Sequence, residues 1–271
     1  MRRYCFSFLL GLLAAASCAS TTRAQSFDYA PWQRLLQKSV TDAGRVDYGA
    51  LKADPAQLNR FTDEIAARSP ISNPLDFPTR QDQMAYWINA YNALVIKGAV
   101  ENWPVESVLK IGTLPHSFFW HKTFLVGGKA TTLDNIEKDE LRKTFGDPRI
   151  HFALVCASNS CPQLQREAFA PEKLDQQLDA AARAFVNSPR GMQIDAAANR
   201  ATLSKIFDWY RGDFEAYGRA KSLTGSGPAV LNFIRQYAND ANRRALDSLH
   251  HPQIEFFPYD WGINDLHSRA Q

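Results

Sequence analysis

Cysteine is scarce in this sequence. Of the four cysteines in 271 residues, Cys5 and Cys18 lie near the start of the chain, and only Cys156 and Cys161 follow. So few cysteines exclude a scaffold held together by several disulfides. The sequence also lacks a P-loop, a glycine-rich dinucleotide motif, a G-x-S-x-G turn and an H-E-x-x-H motif. These absences exclude the enzyme classes that such motifs mark.

Long apolar runs are missing too, apart from a short one at the start. Arg2 and Arg3 precede the apolar stretch 6–16, and small residues follow as far as Gln25. This layout predicts a secretory signal peptide over residues 1–24, with a lipid anchor on Cys18 as the alternative. The apolar stretch is too short to span a bilayer. We therefore expect a periplasmic or secreted protein without a membrane span.

Excess charge is the third absence. The formal net charge of +3 includes Arg2, Arg3 and Arg23, and no acidic residue precedes Gln25, so cleavage after Ala24 leaves a chain of formal charge zero. No run of basic residues remains to bind a polyanion. The composition therefore argues against a nucleic-acid partner and leaves an unknown small molecule or peptide as the expected substrate.

The apolar pattern predicts an α+β fold. Residues 81–102 form a broad apolar face at helical spacing and should be a central helix. Two glycines, Gly127 and Gly128, separate alternating runs and predict a hairpin. We expect this helix to pack on a small, mainly antiparallel sheet that includes Ile150–Val155. A helical N-terminal segment at 25–75 would precede the α+β domain at 76–271, with a Pro/Ser/Asn-rich boundary between them.

The stretch DPRIHFALVCASNSCPQL, residues 147–164, holds the best candidates for chemistry. The apolar run 150–155 reads as a buried strand that ends at a loop. In an extended strand, His151 and Cys156 would point to opposite faces about 16 Å apart. Cys161 could fold back toward the histidine. The pattern therefore favours Cys161 as a nucleophile with His151 as its base, and Cys156 as a supporting thiol.

Three groups could orient the imidazole of His151. They are Glu137 on a short helix, Asp147 before the strand, and Asn89 on the central helix. Asn89 and Asn92 lie three residues apart, and both could instead bond loop backbone and hold the fold together. Glu137, followed by Lys138, could equally be a solvated helix residue.

Other interpretations of the two cysteines remain open. In an oxidising compartment Cys156 and Cys161 could form a disulfide, which would leave no free nucleophile. His151 and His121 could bind a metal together with the cysteines, although C-x4-C is a weak ligand spacing. We expect no cofactor and no metal. The alternative to an enzyme is a non-catalytic extracytoplasmic binding or interaction module that carries the disulfide.

Several segments together resemble a known family. The segments are GRVDYGAL from Gly44, AYWINAYNALVIKG from Ala85, LDNIEKDELR from Leu133, the stretch 147–164, LSKIFDWYRGDF from Leu203 and FFPYDWGIN from Phe256. They are similar to segments of the DUF547 domain family. The resemblance implies that this chain is a secreted bacterial member of that family. Where the family often has a histidine after the Ile-Glu pair, this sequence has Lys138. The resemblance implies no established activity, although some members are similar to thiol hydrolases.

The combined expectation is an extracytoplasmic thiol-dependent hydrolase or acyl-transferring enzyme that acts on an amide or an ester. Its candidate site residues are Cys161, His151, Cys156, Glu137 and Asn89.

Overall fold

The computed structural model describes residues 26–223 and 228–268. The predicted signal peptide and the alternative anchor at Cys18 lie outside these ranges. Within the described residues, no helix is both long enough and apolar enough to cross a membrane.

The fold is α+β, as the sequence predicts. Its helices are α1 (Ala30–Ser39), α2 (Tyr48–Ala53), α3 (Ala56–Ala67), α4 (Arg80–Glu101), α5 (Ser117–Trp120), α6 (Leu133–Asn135), α7 (Lys143–Phe145), α8 (Leu174–Val186), α9 (Lys205–Trp209), α10 (Arg211–Ala220), α11 (Ala229–Tyr237) and α12 (Asp240–Asp247). A π-helical turn, Ile136–Arg142, joins α6 to α7. Short 3₁₀ helices cover Pro74–Asp76, Val108–Lys110, Pro148–Phe152 and Pro171–Lys173.

Two small sheets accompany the helices. Strands β1 (Thr123–Val126) and β2 (Lys129–Thr132) form the predicted antiparallel hairpin around Gly127 and Gly128. The second sheet has the order β3 (Met192–Asp195), β4 (Arg200–Leu203) and β5 (Gln253–Phe256). Its first pair is antiparallel and its second is parallel.

Helix α4 is the central element, as its apolar pattern predicts. Thr79 caps its first turn in a reciprocal arrangement with Asp82, in which each side chain bonds the other residue's backbone N–H. Almost every residue from Met84 to Val100 is buried. The ring of Phe118 lies against Gly98, and Phe124 of β1 contacts the same position, so the hairpin packs on the end of the helix.

One expected strand is not formed. Residues 148–152 are a 3₁₀ helix instead of the start of a strand, and the apolar run to Val155 continues as loop. The Asp147 side chain accepts the N–H of Arg149 at 3.0 Å, and Pro148 occupies the first turn, where its missing N–H costs nothing. Arg149 adds ion pairs to Asp147, Asp175 and Asp179. A cap and a proline therefore override the strand-like composition of this run.

The C-terminal segment, residues 257–268, forms hydrogen bonds with distant parts of the chain. The N–H of Val46 donates to the carbonyl of Asn264 at 3.0 Å, and the N–H of Asn264 donates to the carbonyl of Ala157 at 3.1 Å. The side chain of Asn264 also accepts the hydroxyl of Tyr48 at 2.7 Å. Residues near the end of the chain thus fix the loop that contains the cysteines.

Candidate functional site

A cavity of about 320 Å³ lies among the candidate site residues. Its walls come from α4, the π-helical turn, the cysteine loop (residues 156–161), α9 and the C-terminal segment. Four of the five predicted site residues line it. They are Glu137, His151, Cys156 and Cys161. The sequence therefore identified residues that the fold brings to one place, although their arrangement differs from the expected one.

Asn89 is not among the residues that line this cavity. Its amide donates to the carbonyls of Ala85 at 2.9 Å and Phe169 at 2.7 Å, and its oxygen accepts the N–H of Phe169 at 3.1 Å. Asn92 acts in the same way on the segment before Cys156, since it bonds the carbonyl of Ala153 and the N–H of Val155, each at 2.9 Å. Both amides satisfy buried backbone groups, which is the structural interpretation that the sequence left open.

Cys156 and Cys161 are joined in a disulfide. The two sulfurs have different exposures, because Cys156 is half-buried whereas Cys161 is only 3% exposed. Sγ of Cys161 accepts the backbone N–H of Cys156 at 2.9 Å. The Tyr259 hydroxyl lies 3.2 Å from Sγ of Cys156 and 3.3 Å from Sγ of Cys161. Both cysteines line the cavity, and Cys156 is the more exposed residue of the two.

The loop between the cysteines has an unusual backbone. Ala157 adopts a left-handed conformation with φ of 60°, which is costly for a residue with a Cβ, and its side chain is fully buried. Contacts with the C-terminal segment offset this cost, since the Asn159 N–H donates to the carbonyl of Gly262 at 2.8 Å. The cysteine loop is thus held in one conformation by residues a hundred positions away.

His151 and Asp213 form an imidazole–carboxylate pair. Nε2 of the histidine lies 2.8 Å from Oδ2 of Asp213, and the imidazole ring stacks on Tyr210 with 3.8 Å between ring centroids. Arg142 donates two hydrogen bonds to the same carboxylate, at 2.7 and 3.1 Å. Among the described residues, Nδ1 of His151 makes no hydrogen bond. His151 lines the cavity, although its side chain is only 1% exposed.

The charge on Asp213 is strongly favoured. Partial burial opposes ionisation, but the hydrogen bonds from His151 and Arg142 outweigh it and hold the pKa of this carboxyl far below its usual range. The same carboxylate raises the pKa of Arg142 through its hydrogen bonds. A carboxylate fixed against Nε2 orients the imidazole ring.

Glu137 enters the cavity from the π-helical turn. Burial raises the pKa of Tyr210, and the nearby negative charge of Glu137 raises it further. Burial and Glu137 likewise raise the pKa of Tyr91. Both phenols therefore stay protonated and are suited to donate to an anion. π-Helical turns often occur at functional sites because they turn side chains away from the regular helical positions.

A protein-family model matches part of the chain. Residues 75–186 match the family model described as "Protein of unknown function, DUF547". This match supports the resemblance to the DUF547 domain family that the sequence motifs indicate. It contains Glu137, His151 and both cysteines, whereas Asp213 and Tyr259 lie beyond it. No curated protein and no solved structure matches the chain.

Sequence reasoning missed the partners that come from outside the DUF547 match. Asp213, Tyr210 and Tyr259 all fall in or beside segments that resemble the family, but no spacing rule connects them with His151 or the cysteines. The expected 16 Å separation of His151 and Cys156 also does not apply, because it assumed an extended strand. A metal site finds no support in the described residues, where no group of three or more His, Cys, Asp or Glu side chains could hold an ion.

Proposed function

We propose that this protein is an extracytoplasmic thiol-dependent hydrolase or acyl-transferring enzyme that acts on an amide or an ester. One observation carries the proposal: both cysteines of the disulfide line the same cavity as His151, whose imidazole is bonded to the Asp213 carboxylate. A thiol, a base and a group that orients the base are the parts of a cysteine nucleophile. The extracytoplasmic location rests on the predicted signal peptide.

In this proposal the nucleophile is Cys156, with Cys161 as its redox partner. The preference for Cys161 depended on an extended strand after His151, which is absent. Exposure favours Cys156, because a substrate carbonyl must reach the attacking sulfur. The Tyr259 hydroxyl, near both sulfurs, would support either thiolate.

The disulfide represents a resting form that a reductant opens. A small thiolate attacks Sγ of Cys156, the S–S bond breaks, and Cys161 leaves as a thiolate that accepts hydrogen bonds from the Cys156 N–H and Tyr259. A second thiolate then attacks the mixed disulfide, releasing Cys156 and the oxidised small disulfide. Two thiols are oxidised and one protein disulfide is reduced.

The reduced site would then carry out acyl transfer. The Cys156 thiolate attacks the carbonyl carbon, and protonated His151 donates its proton to the leaving nitrogen or oxygen. Neutral His151 next takes a proton from water, whose oxygen attacks the thioester carbon; the C–S bond breaks, the carboxylic acid is released, and the Cys156 thiolate and protonated His151 are restored. Asp213 stabilises the imidazolium formed in this cycle.

Alkylation of the reduced protein tests the proposal. The protein is reduced with dithiothreitol, which is then removed, and the rate of iodoacetamide labelling of Cys156 is measured against pH. The pH at which labelling is half-maximal should lie well below the ordinary thiol pKa of about 8.5. The variant Cys161→Ser isolates Cys156, and Cys156→Ser isolates Cys161. Adding Asp213→Asn to the Cys161→Ser variant should raise the pH of half-maximal labelling of Cys156, because the imidazolium of His151 loses its counter-charge. Two cysteines with ordinary midpoints would contradict the proposed nucleophile.

The closed disulfide also favours a second candidate, a non-catalytic binding or interaction module. In that case Cys156→Ala with Cys161→Ala should leave ligand binding intact, whereas changes to aromatic residues that line the cavity, such as the half-buried Trp261 in Trp261→Ala, should remove it. Changes to Asn89 or Asn92 do not distinguish the two candidates, since both side chains bond buried backbone. Loss of a thioester intermediate in Cys156→Ala would support the enzyme instead.

A further inference from the structure

The mouth of the cavity is built from aromatic rings of three separate segments. His116 stacks on Trp120 with 5.1 Å between centroids and meets Trp261 edge-on at 5.0 Å. Trp261 stacks on Trp209 at 5.8 Å, and Tyr259 lies 4.6 Å from Trp261. Trp120 is 51% exposed and Trp209 is 45% exposed. Large aromatic side chains thus face solvent around a concave site, where bulky apolar groups are otherwise unfavourable.

His116 adopts a conformation that keeps this rim together. Its φ of 65° lies in the left-handed region, which costs energy for a residue with a Cβ. The ring is nevertheless held between two tryptophans. Such strain persists only where surrounding contacts determine it, and it occurs often at ligand sites.

The charges that line the cavity leave one carboxylate unmatched. Asp134 pairs with Lys138 at 2.9 Å, and Arg142 is engaged by the carboxylate of Asp213. Glu137, among the described residues, has no cation within ion-pair distance. The charge of Glu137 raises the pKa of Tyr210 and of Arg142, but no described cation lies close enough to form an ion pair with it. Among the described residues, the cavity therefore offers aromatic faces and one carboxylate that belongs to no ion pair.

We propose that this cavity binds an organic ammonium group. Glu137 would supply the counter-charge, and the aromatic rings at the mouth of the cavity would form the walls. Aromatic faces attract cations through their negative quadrupole, and this attraction is the common basis of quaternary ammonium recognition. A carboxylate beside the rings adds direct Coulomb attraction. A neutral sugar would gain the stacking but would make no use of the unmatched charge.

This inference names a substrate class for the proposed enzyme, and its catalytic meaning rests on that function. The amide or ester would carry an alkylammonium substituent, which Glu137 and the rim would hold while the carbonyl faces Cys156. Binding itself requires no thiol chemistry. The two proposals therefore fail in separate experiments.

Choline and its neutral isostere 3,3-dimethylbutan-1-ol provide the test on the full chain with its disulfide closed. Choline should quench or shift tryptophan fluorescence in a saturable way, and isothermal titration should give a matching affinity. The isostere should bind about tenfold more weakly or worse, because it keeps the shape and loses the charge. In Glu137→Gln, choline affinity should fall to that of the isostere.

Glu140→Gln is the matched control, because Glu140 lies on the same π-helical turn and does not line the cavity. It should bind choline as the parent chain does. Thermal unfolding of both variants checks that each is folded, and Trp209→Leu, at the exposed rim, supplies an independent variant that should also weaken binding.

Three results would overturn the inference: no saturable choline binding, equal binding of choline and isostere, or choline binding unchanged in Glu137→Gln. Preferential binding of a neutral sugar such as glucose would replace the ammonium by a carbohydrate. A double variant, Cys156→Ser with Cys161→Ser, should keep choline binding while losing all thiol reactivity. Failure of the thiol chemistry and failure of this subsite are thereby distinguished.

Discussion

At the scale of single residues, Asp213 connects two functional groups of the site. It bonds His151 and Arg142 together, and its carboxylate is the nearest anion to the imidazole. The sequence alone could not find it, because sixty-two positions separate it from His151 and neither residue stands in a recognisable motif. His151, by contrast, was predictable, since a histidine close to the only two later cysteines is a chemically informative combination.

The first prediction concerns the pH dependence of stability through Asp213. A carboxyl with a lowered pKa in the folded state contributes stability that is complete above its unfolded pKa of about 4 and is lost as the pH falls toward the folded value. Asp213→Asn should therefore lower the free energy of unfolding by about 2 kcal/mol at pH 7 and by less at pH 3. Urea unfolding at the two pH values measures this.

Glu215→Gln on the same helix is the control for Asp213→Asn. Glu215 makes only a long ion pair of 4.0 Å with Arg219, whose side chain is 73% exposed. Surface pairs of this kind contribute little, so this variant should unfold like the parent at both pH values. An equal loss for Asp213→Asn at pH 7 and pH 3 would mean that its charge does not stabilise the fold.

At the scale of elements, patterns with one dominant local cause were predictable. The apolar face of α4 and the two glycines of the β1–β2 hairpin led to the observed elements almost to the residue. The run at 150–155 was not, because a short apolar stretch fits a buried strand and a buried helical turn equally well. Asp147 and Pro148 carried the deciding signal, a capped first turn.

The second prediction concerns the packing of α4 on α5 and the hairpin. An added methyl at Gly98 would overlap the ring of Phe118 and touch that of Phe124. Gly98→Ala should therefore destabilise the protein by about 1–3 kcal/mol, because the overpacking outweighs the gain in helix propensity. Chemical unfolding monitored by circular dichroism measures the change.

Gly212→Ala is the matched control, since Gly212 lies in helix α10 with no atom within 4 Å of an added Cβ. This variant should be neutral or more stable by up to about 1 kcal/mol. If Gly98→Ala were also stabilising, the close contact between α4 and Phe118 would not be rigid.

At the scale of the whole molecule, the N-terminal helices and the C-terminal segment share one apolar core with α4. A second core lies among α8, α9, α10 and α11. The sequence indicated the fold class, but it could not show that residues from Tyr91 to Trp261 line one cavity. Contacts between such distant segments depend on the completed packing, and a single sequence contains no pattern that reports them.

The third prediction concerns the link between the two ends of the chain. The Tyr48 hydroxyl donates to the Asn264 side chain, and both residues are buried. Tyr48→Phe and Asn264→Ala should each cost about 1–2 kcal/mol, and the double variant should cost about 1 kcal/mol less than their sum. Urea unfolding of the four proteins gives this coupling energy.

Tyr29→Phe is the control for the tyrosine change. Within the described residues the Tyr29 hydroxyl is buried and has no hydrogen-bond partner. Its removal should be neutral or stabilising. Strictly additive losses for Tyr48→Phe and Asn264→Ala would show that their hydrogen bond contributes nothing to stability.

The C-terminal segment also sets an order of events during synthesis. The cysteine loop bonds residues 262 and 264, and the cavity needs Tyr259 and Trp261 for its wall. A growing chain that has been synthesised only as far as α10 therefore contains both cysteines but lacks the residues that pack against the cysteine loop. The pocket closes only after residues 259–264 have left the ribosome, so a chain that stops before them would lack the site even where the DUF547 match is complete.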